Sequence, residues 1–550
     1  MQQLALVAAI VFGTAVLIPV SGRINLPWPV LVTLFGIVLA AIPQVPQINV
    51  NPELILPLVL PPLLYAAARK TSWRLWASHA RPILLLAVAL VLVTTAAVAF
   101  VASQVVPGIT LGGAIALGAL VSPPDPVAAT AIAARLRLPR RLVSMLEGEG
   151  LFNDVAALVL YQVAIAAVVG GSFSGSTAAV RLLLAAALAL AIGLAAGWVI
   201  VRLIALLGSD DPRPQVLLSV LAPTATYVLA EESHGSGVLA VLVYTLYSVS
   251  RPMPASDAQG RLTVDTFWSM TETLVTGLAF GLVGLEFQTA AESIGLRWTS
   301  LIGEALAVVA VVVGVRLLYL MPSMLLSRRY YRRLQRAALQ DALRGHQESR
   351  RLQRARDADV PIDWRETVVV WWAGMRGVAT VALALAVPMT VDGGGPFPAR
   401  ERILFIAFAV VLVTLVLQGI SLPTLVRRLG VRAGTQDTEQ AETELIERAA
   451  RAAAEALNGL HDENFSVEVW DRLNAFPTDL LARLGPHLDE ATQHGVAAHR
   501  VDGRQQFVHG LQAMLAAART ELLQARSERG IQPELVDHLV RRLDLYSLPR

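Results

Sequence analysis

Two stretches decide the fold: LGGAIALGALVSPPDPVAATAIAA at residues 111–134 and TVVVWWAGMRGVATVALALAVP at 367–388. Each is apolar enough and long enough to read as a helix crossing a bilayer, and each is interrupted near its middle. In the first, Pro123, Pro124 and Pro126 remove backbone donors and clash with the preceding turn, so the helix must open around Asp125. In the second, Arg376 lies between Gly374 and Gly377. Glycine and proline are common in membrane helices, and one such segment alone would decide nothing. Two of them, each with an ionisable residue inside it, are the sequence mark of paired repeats with an ion site at mid-membrane.

The rest of the chain supports that setting. Of its 550 residues 55% are apolar and only 16% charged, against about 25% charged in a soluble protein. A bilayer core of about 30 Å takes roughly 17–25 apolar residues per helix. Such runs fall near 4–20, 28–43, 53–68, 83–104, 110–134, 142–169, 180–206, 215–231, 237–250, 267–288, 299–325, 366–389 and 402–424, about thirteen in all. If the seventh is a linker, each interrupted helix is the fifth of its half, which predicts inverted repeats whose breaks cross.

Loop charge gives an independent reading of topology. Arg69, Lys70, Arg74 and Arg81 crowd one loop, Arg135, Arg137, Arg140 and Arg141 another, and SRRYYRRLQRAALQDALRGHQESRRLQRARDADVP a third. The alternate loops PQVPQINVNPE, ASQVVPGIT and EESHGSG carry no Lys or Arg. Basic loops stay cytoplasmic, so the expectation is an N-terminus outside, a C-terminus inside, and a multi-pass protein of the cell inner (plasma) membrane. MQQLALVAAIVFGTAVLIPV lacks a basic n-region and reads as a first span rather than a cleaved leader. The expected division is a transmembrane domain over 1–425 and a helical cytosolic tail over 426–550, where TELIERAARAAAEALNGL shows helical periodicity with alternating charge. The 327–356 segment reads as an amphipathic cytoplasmic helix against lipid headgroups. There is no cysteine, which excludes disulfides, thiolate metal sites and cysteine nucleophiles. A formal net charge of +3, with basic clusters that serve topology, gives no nucleic-acid surface.

The chemistry lies in LEGEGLFNDVAALVLY at 146–161. With a helix starting near Leu142, Asp154 lies about 18 Å deep, near the midplane. Glu147 shares its face close to the cytoplasmic end, as a funnel charge. Glu149 is turned about 140° away and needs another partner. The intramembrane Arg316 must also be paired, because it keeps its proton, and Glu149 is the proposed partner. Asp154 remains the titrating acid. A carboxylate withdrawn from water can be neutralised by a proton or by a dehydrated monovalent cation, so the two compete. Asn153 can cap unwound backbone or donate to Asp154 without adding a second titrating charge. At the breaks, Asp125 can offset the paired half-helix N-termini and Arg376 the paired C-termini.

SPPDPVAATAIAARLRLPRR, EGEGLFNDVAALVLY, GLAFGLVGLEFQ, WWAGMRGVATVALALAVP and LVLQGISLPTLVRRLG, in this order, resemble the sodium/proton exchangers of the monovalent cation:proton antiporter superfamily, most closely their bacterial branch. The resemblance covers about residues 1–430. It implies an all-α fold whose core, with two crossed broken helices, moves elevator fashion against a dimerisation domain, in a homodimer with no cofactor. It implies Asp154 as the shared binding acid for cation and proton, with Asn153, Asp125 and the Pro124 carbonyl around the cation. Glu149 and Arg316 become a structural ion pair, and Arg376 belongs to the second break. The Asn-Asp pair implies electroneutral exchange of Na⁺, or Li⁺ or K⁺, for H⁺. Three positions depart from the family pattern: Pro124 where Thr is frequent, Gly150 where Ser is frequent, and Tyr65-Ala66 where some members carry an acid. They leave fewer protein oxygens for the ion.

Three other readings compete. K⁺/H⁺ exchange uses the same fold. An intramembrane aspartyl hydrolase would pair Asp125 with Asp154, but the chain lacks the Tyr-Asp and Gly-x-Gly-Asp signatures of such enzymes in its membrane segments. A passive channel would not need paired breaks around one titrating acid. His79, His234, Glu231, Glu232 and Glu286 read as helix-end groups.

Overall fold

The computed structural model describes residues 2–24, 26–42, 61–66, 69, 73–125, 136, 138–170, 175–207, 212–250, 258–293, 298–343, 362–431, 435–460, 465–484, 504–525 and 533–546. Among these the chain is helical almost throughout. Its first part comprises α1 (Gln2–Ile24), α2 (Trp28–Ala40), α3 (Trp73–Val105), α4 (Leu111–Val121), α5 (Arg140–Val169), α6 (Gly175–Leu207), α7 (Pro212–Glu232) and α8 (Gly237–Ser250). There follow α9 (Ala258–Ser293), α10 (Trp298–Leu343), α11 (Trp364–Trp372), α12 (Val378–Leu385), α13 (Arg400–Val413) and α14 (Gly419–Leu429), the last two joined through a π-helical turn, Thr414–Gln418. Six described helices are long and apolar enough to cross a membrane. A short helical piece at 61–66 stands where the third span is expected; 43–60 and 126–135, the latter being the second half of the first broken segment, lie outside the described residues.

The chain separates into two compact units. One contains Met1–Leu206, Leu217–Pro252 and Trp268–Arg432; the other contains Leu207–Val216, Met253–Phe267 and Ala433–Arg550. In the first, α10 lies against α3, α11 and α13, while α4 packs between α3 and α5. Leu117, Leu120, Val381, Phe405 and Phe408 are wholly or almost wholly buried at its centre. Small residues let backbones meet, as expected for membrane helices: a Cβ on Gly118 would come within 2.5 Å of the Thr95 carbonyl oxygen. The second unit is built on α15 (Thr435–Gly459), α16 (Val467–Leu484), α17 (Arg504–Ala525) and α18 (Pro533–Tyr546). Leu445, Ala449, Leu473, Met514, Leu522 and Leu539 form its own core. Arg448 pairs with Glu521 at 2.7 Å on its surface.

One element differs from the sequence reading. The basic segment after residue 326 is not a separate helix: α10 runs unbroken for 46 residues through Pro322 and on to Leu343. Pro322 deprives a single carbonyl of its donor, and the strong helix formers Leu, Arg, Gln and Ala carry the helix on. Residues 344–361 lie outside the described set.

Candidate functional site

Helix α4 stops at Val121, where Pro123 and Pro124 end the supply of donors, and Ser122–Asp125 continue as a non-helical, buried stretch. Helix α11 starts on a capping box, with Asp363 and Glu366 each accepting from the other's backbone N–H, and stops at Trp372. Ala373–Gly377 is non-helical, and α12 resumes at Val378. The two openings face each other: the Asp125 N–H donates to the Met375 carbonyl at 2.7 Å.

The free helix ends at this crossing have partners of the right sign. Arg376, 1% exposed, donates through Nε to the Val121 carbonyl at 2.9 Å and through Nη2 to that of Ser122 at 3.2 Å. Its Nη1 also donates to the Gly374 carbonyl. One guanidinium therefore serves the carbonyls at the end of α4 and past the end of α11, where helix dipoles leave partial negative charge. Asp125 does the converse, its Oδ2 accepting from the Val378 N–H at 3.0 Å at the start of α12. Gly377 makes that approach possible, because a Cβ there would overlap the Asp125 carboxylate. The Arg376 N–H in turn donates to Thr414 Oγ1 at 3.1 Å, at the first residue of the π-helical turn.

On α5, Glu149 meets Arg316 of α10 in a two-pronged ion pair, Nη1 to Oε1 at 2.6 Å and Nη2 to Oε2 at 2.9 Å. Both side chains are buried, at 5% and 1% exposure. Arg316 Nη2 also reaches the Val370 carbonyl on α11 at 3.3 Å, tying the pair to the broken helix. Asn153 turns its amide to this pair rather than to the unwound backbone: Nδ2 donates to Glu149 Oε1 at 3.4 Å. Its Oδ1 is buried without a hydrogen-bond partner, and so is Oδ1 of Asp154. Asp154 lines a small cavity with Leu64, Leu158, Val238, Ala379 and Leu383. Ala379 and Leu383 belong to α12, so the acid lies beside the second half of the broken helix, with Asp125 its electrostatic neighbour. Buried oxygens without donors are costly unless something occupies them. A proton or a small cation can do so, and among the described residues no cluster of three His, Cys, Asp or Glu offers a conventional metal site.

Pro124 lies in the buried non-helical stretch beside Asp125, and Gly150 is buried on α5. Tyr65 packs its ring on Trp268 (centroids 4.6 Å apart) and Tyr244 (6.0 Å), whereas its neighbour Leu64 faces the Asp154 cavity. Ala66 is 3% exposed. The side chains of Glu147 and His79 lie outside the described residues. Glu231 is more than a helix-end charge: its Oε1 accepts from the Gly237 N–H that opens α8 at 3.0 Å and from Gln162 of α5 at 3.5 Å. Glu286 is half-buried near the charges of Arg400 and Glu401. His234 sits exposed in the α7–α8 turn at φ +61°. The sequence reading also missed the pair between Arg402 and buried Glu304. It missed Thr414 as well, a lone hydroxyl in an apolar run with no local signal.

Comparison with known proteins bears on this arrangement. Residues 7–428 match the family described as "Sodium/hydrogen exchanger, transmembrane". The chain is 34% identical over 469 residues to an uncharacterized Na⁺/H⁺ exchanger of Mycobacterium tuberculosis, covering 84% of this chain and 80% of that one. It is 31% identical over 442 residues to a sodium, potassium, lithium and rubidium/H⁺ antiporter of Bacillus pumilus, covering 79% and 63%. The fold matches the structure of the sodium proton antiporter MjNhaP1 from Methanocaldococcus jannaschii with a TM-score of 0.57 at 15% identity, over 78% of this chain and 99% of the other.

Proposed function

The chain belongs to the sodium/hydrogen exchanger family and is a membrane transporter rather than an enzyme; on that premise we propose that it exchanges one monovalent cation, Na⁺ foremost, for one proton at Asp154. The observation that carries this reading is the Asp154 carboxylate, with an unpartnered buried oxygen, in a cavity beside the broken α11–α12 segment. The acid is neutral with a proton or with a cation, and one occupant excludes the other. Asn153 Oδ1, Asp125 and the Pro124 carbonyl complete the cation's surroundings, with water replacing the oxygens that Gly150 and Ala66 do not offer. Glu149 and Arg316 satisfy each other and leave Asp154 as the group that titrates. Asn153 adds no second charge, which supports one-for-one, electroneutral exchange.

Alternating access follows elevator fashion. The α4, α5 and α10–α14 bundle carries the site as one body, since Asp125, Arg376, Glu149 and Arg316 cross-link its helices through buried polar contacts. A homodimer supplies the fixed partner, with inverted repeats behind the paired breaks, the N-terminus outside and the helical tail over 426–550 in the cytoplasm. K⁺/H⁺ exchange is the second reading: the relative from Bacillus pumilus carries potassium as well as sodium, and a site with few protein oxygens discriminates weakly by size. The deciding experiment is reconstitution into vesicles with an internal pH dye. Addition of Na⁺ should drive proton movement in the parent protein and none in a folded Asp154→Asn variant, whereas full activity in that variant refutes the assignment. A series of Na⁺, K⁺ and Li⁺ under the same conditions ranks the cations.

A further inference from the structure

Helix α10 continues well past the membrane core, and the face it carries out of the bilayer is built of arginine. Placing its residues at 100° intervals from Arg328, Arg332, Arg336, Arg329 and Arg333 fall at about 40°, 80°, 100° and 140°. All four are exposed. Leu325, Leu318 and Leu326, which are 53%, 74% and 64% exposed, fall at about 60°, 80° and 160° on the same scale. The buried residues Arg316, Leu320, Ala338 and Met324 occupy the opposite side, at about 240–320°. Leu320 and Ala338 keep one phase across Pro322, so the helix does not swing its faces there. The arginine ridge is therefore the outward continuation of the leucine stripe that faces lipid, not of the stripe that faces protein.

Depth along the helix agrees. Arg316 lies level with the helix breaks, near the midplane, and Arg329 follows thirteen residues later, about 20 Å along the axis. The hydrocarbon core ends about 15 Å from the midplane and the headgroup layer about 20–22 Å from it. Arg332, Arg333 and Arg336 start beyond that layer, at about 24, 26 and 30 Å, and their long side chains reach back toward it. Two aromatic groups mark the same level. Tyr330 is 67% exposed on the helix, and Trp364 is 51% exposed beside the Arg365 guanidinium. Arg328 ties the two segments together by donating from Nε to the Ile362 carbonyl at 3.1 Å. Exposed Trp and Tyr collect at the membrane–water boundary. No acid occurs from Ser327 to Gln340 to neutralise the ridge.

We propose that Arg329, Arg332, Arg333 and Arg336 form a docking ridge for anionic phospholipid headgroups of the surrounding bilayer. The guanidinium forks suit phosphate oxygens, and the lipid-facing direction of the ridge selects headgroups over a soluble partner. Each arginine at a membrane surface increases association with anionic lipid roughly fivefold at low salt, weakening as salt screens it. The proposal is independent of which cation the protein carries.

The full chain, reconstituted in phosphatidylcholine vesicles with trace spin-labelled phosphatidylglycerol or spin-labelled phosphatidylcholine, gives the relative affinity of the two lipids for the protein surface. The parent should prefer phosphatidylglycerol several-fold, and the preference should shrink as salt is raised. Replacing all four arginines by Gln should lower it at least about threefold, while replacement by Lys should keep most of it; unchanged cation-driven proton movement shows that both variants are folded. The same preference in the Gln variant and the parent overturns the proposal. So does saturable binding of inorganic phosphate to the ridge in detergent without any lipid preference in vesicles, which would make it a site for soluble anions.

Discussion

Asp125 and Arg376 hold the two sides of one crossing with opposite charge. The Asp125 carboxylate accepts from the N–H that opens α12, while the Arg376 guanidinium donates to carbonyls left by α4 and α11, and the backbones between them are joined by the Asp125 N–H to the Met375 carbonyl at 2.7 Å. Helix breaks inside a membrane are tolerable only when freed backbone groups find partners within the protein. Here two side chains from the two broken segments meet that requirement reciprocally, and neither segment could open alone at the same cost.

Gly377 is the tightest point of this arrangement, since a Cβ there would overlap the carboxylate that caps α12. The Gly377→Ala variant should push Asp125 off the Val378 N–H and displace the unwound segment. The expected result is loss of most cation-driven proton movement together with a lower unfolding temperature in detergent. Gly393, which has open space around its Cα, is the control: Gly393→Ala should leave both measurements unchanged.

The ion pair between Glu149 and Arg316 separates stability from transport. Removing one partner of a buried pair leaves an uncompensated charge and costs about 3–5 kcal/mol. Arg316→Gln and Glu149→Gln should each lower the unfolding temperature markedly. The double change Glu149→Gln with Arg316→Gln should recover part of the loss, because no lone charge remains. A double-mutant cycle read by thermal unfolding checks this; additive losses would mean that the two side chains do not stabilise each other.

Much of this site was readable from residues alone because membrane burial makes ionisable groups scarce, and scarcity limits whom each can pair with. Arg316 had few acids within reach at its depth, and Pro123, Pro124 and Pro126 could not continue a helix. The parts that escaped depend on three-dimensional register. Thr414 stands 38 residues from Arg376 in the chain, and only the packing of α13 against the broken segment brings its hydroxyl to the Arg376 N–H. Asn153 serves Glu149 rather than opened backbone because Glu149 lies one helical turn below it on α5. The unbroken passage of α10 into the basic segment was hidden because a charge boundary marks where the bilayer ends, not where a helix does.

The proposed competition of proton and cation at Asp154 fixes the direction of the pH response. In that reading Asp154 with a proton holds no cation, so lowering pH should raise the apparent KM for Na⁺, approaching tenfold per pH unit once the protonated form dominates, with little change in maximal rate at saturating Na⁺. Raising pH should lower KM to a floor. Initial rates of proton movement in vesicles over a grid of pH and Na⁺ measure this. A KM independent of pH, with only the maximal rate changing, would mean that the proton and the cation occupy different groups.

Replacing Asn153 by Asp tests the proposal that exchange is electroneutral. Asn153 is wholly buried and hydrogen-bonds Glu149 through Nδ2, so an acid there would lose that donor and face a carboxylate of like charge. The new group can relieve the repulsion by taking a proton or by sharing a cation with Asp154. In the second case the site carries one more negative charge when it faces cations than the parent does, and each cycle moves net charge. The Asn153→Asp variant should therefore respond to an imposed membrane potential, with rates changing severalfold between inside-negative and inside-positive vesicles, whereas the parent should be indifferent to it. The electrostatic clash with Glu149 should also weaken the Arg316 pairing and lower the unfolding temperature. An Asn153→Asp variant that stays insensitive to potential while still exchanging would show that the second carboxylate remains protonated throughout the cycle, and that charge movement is set elsewhere than at this pair.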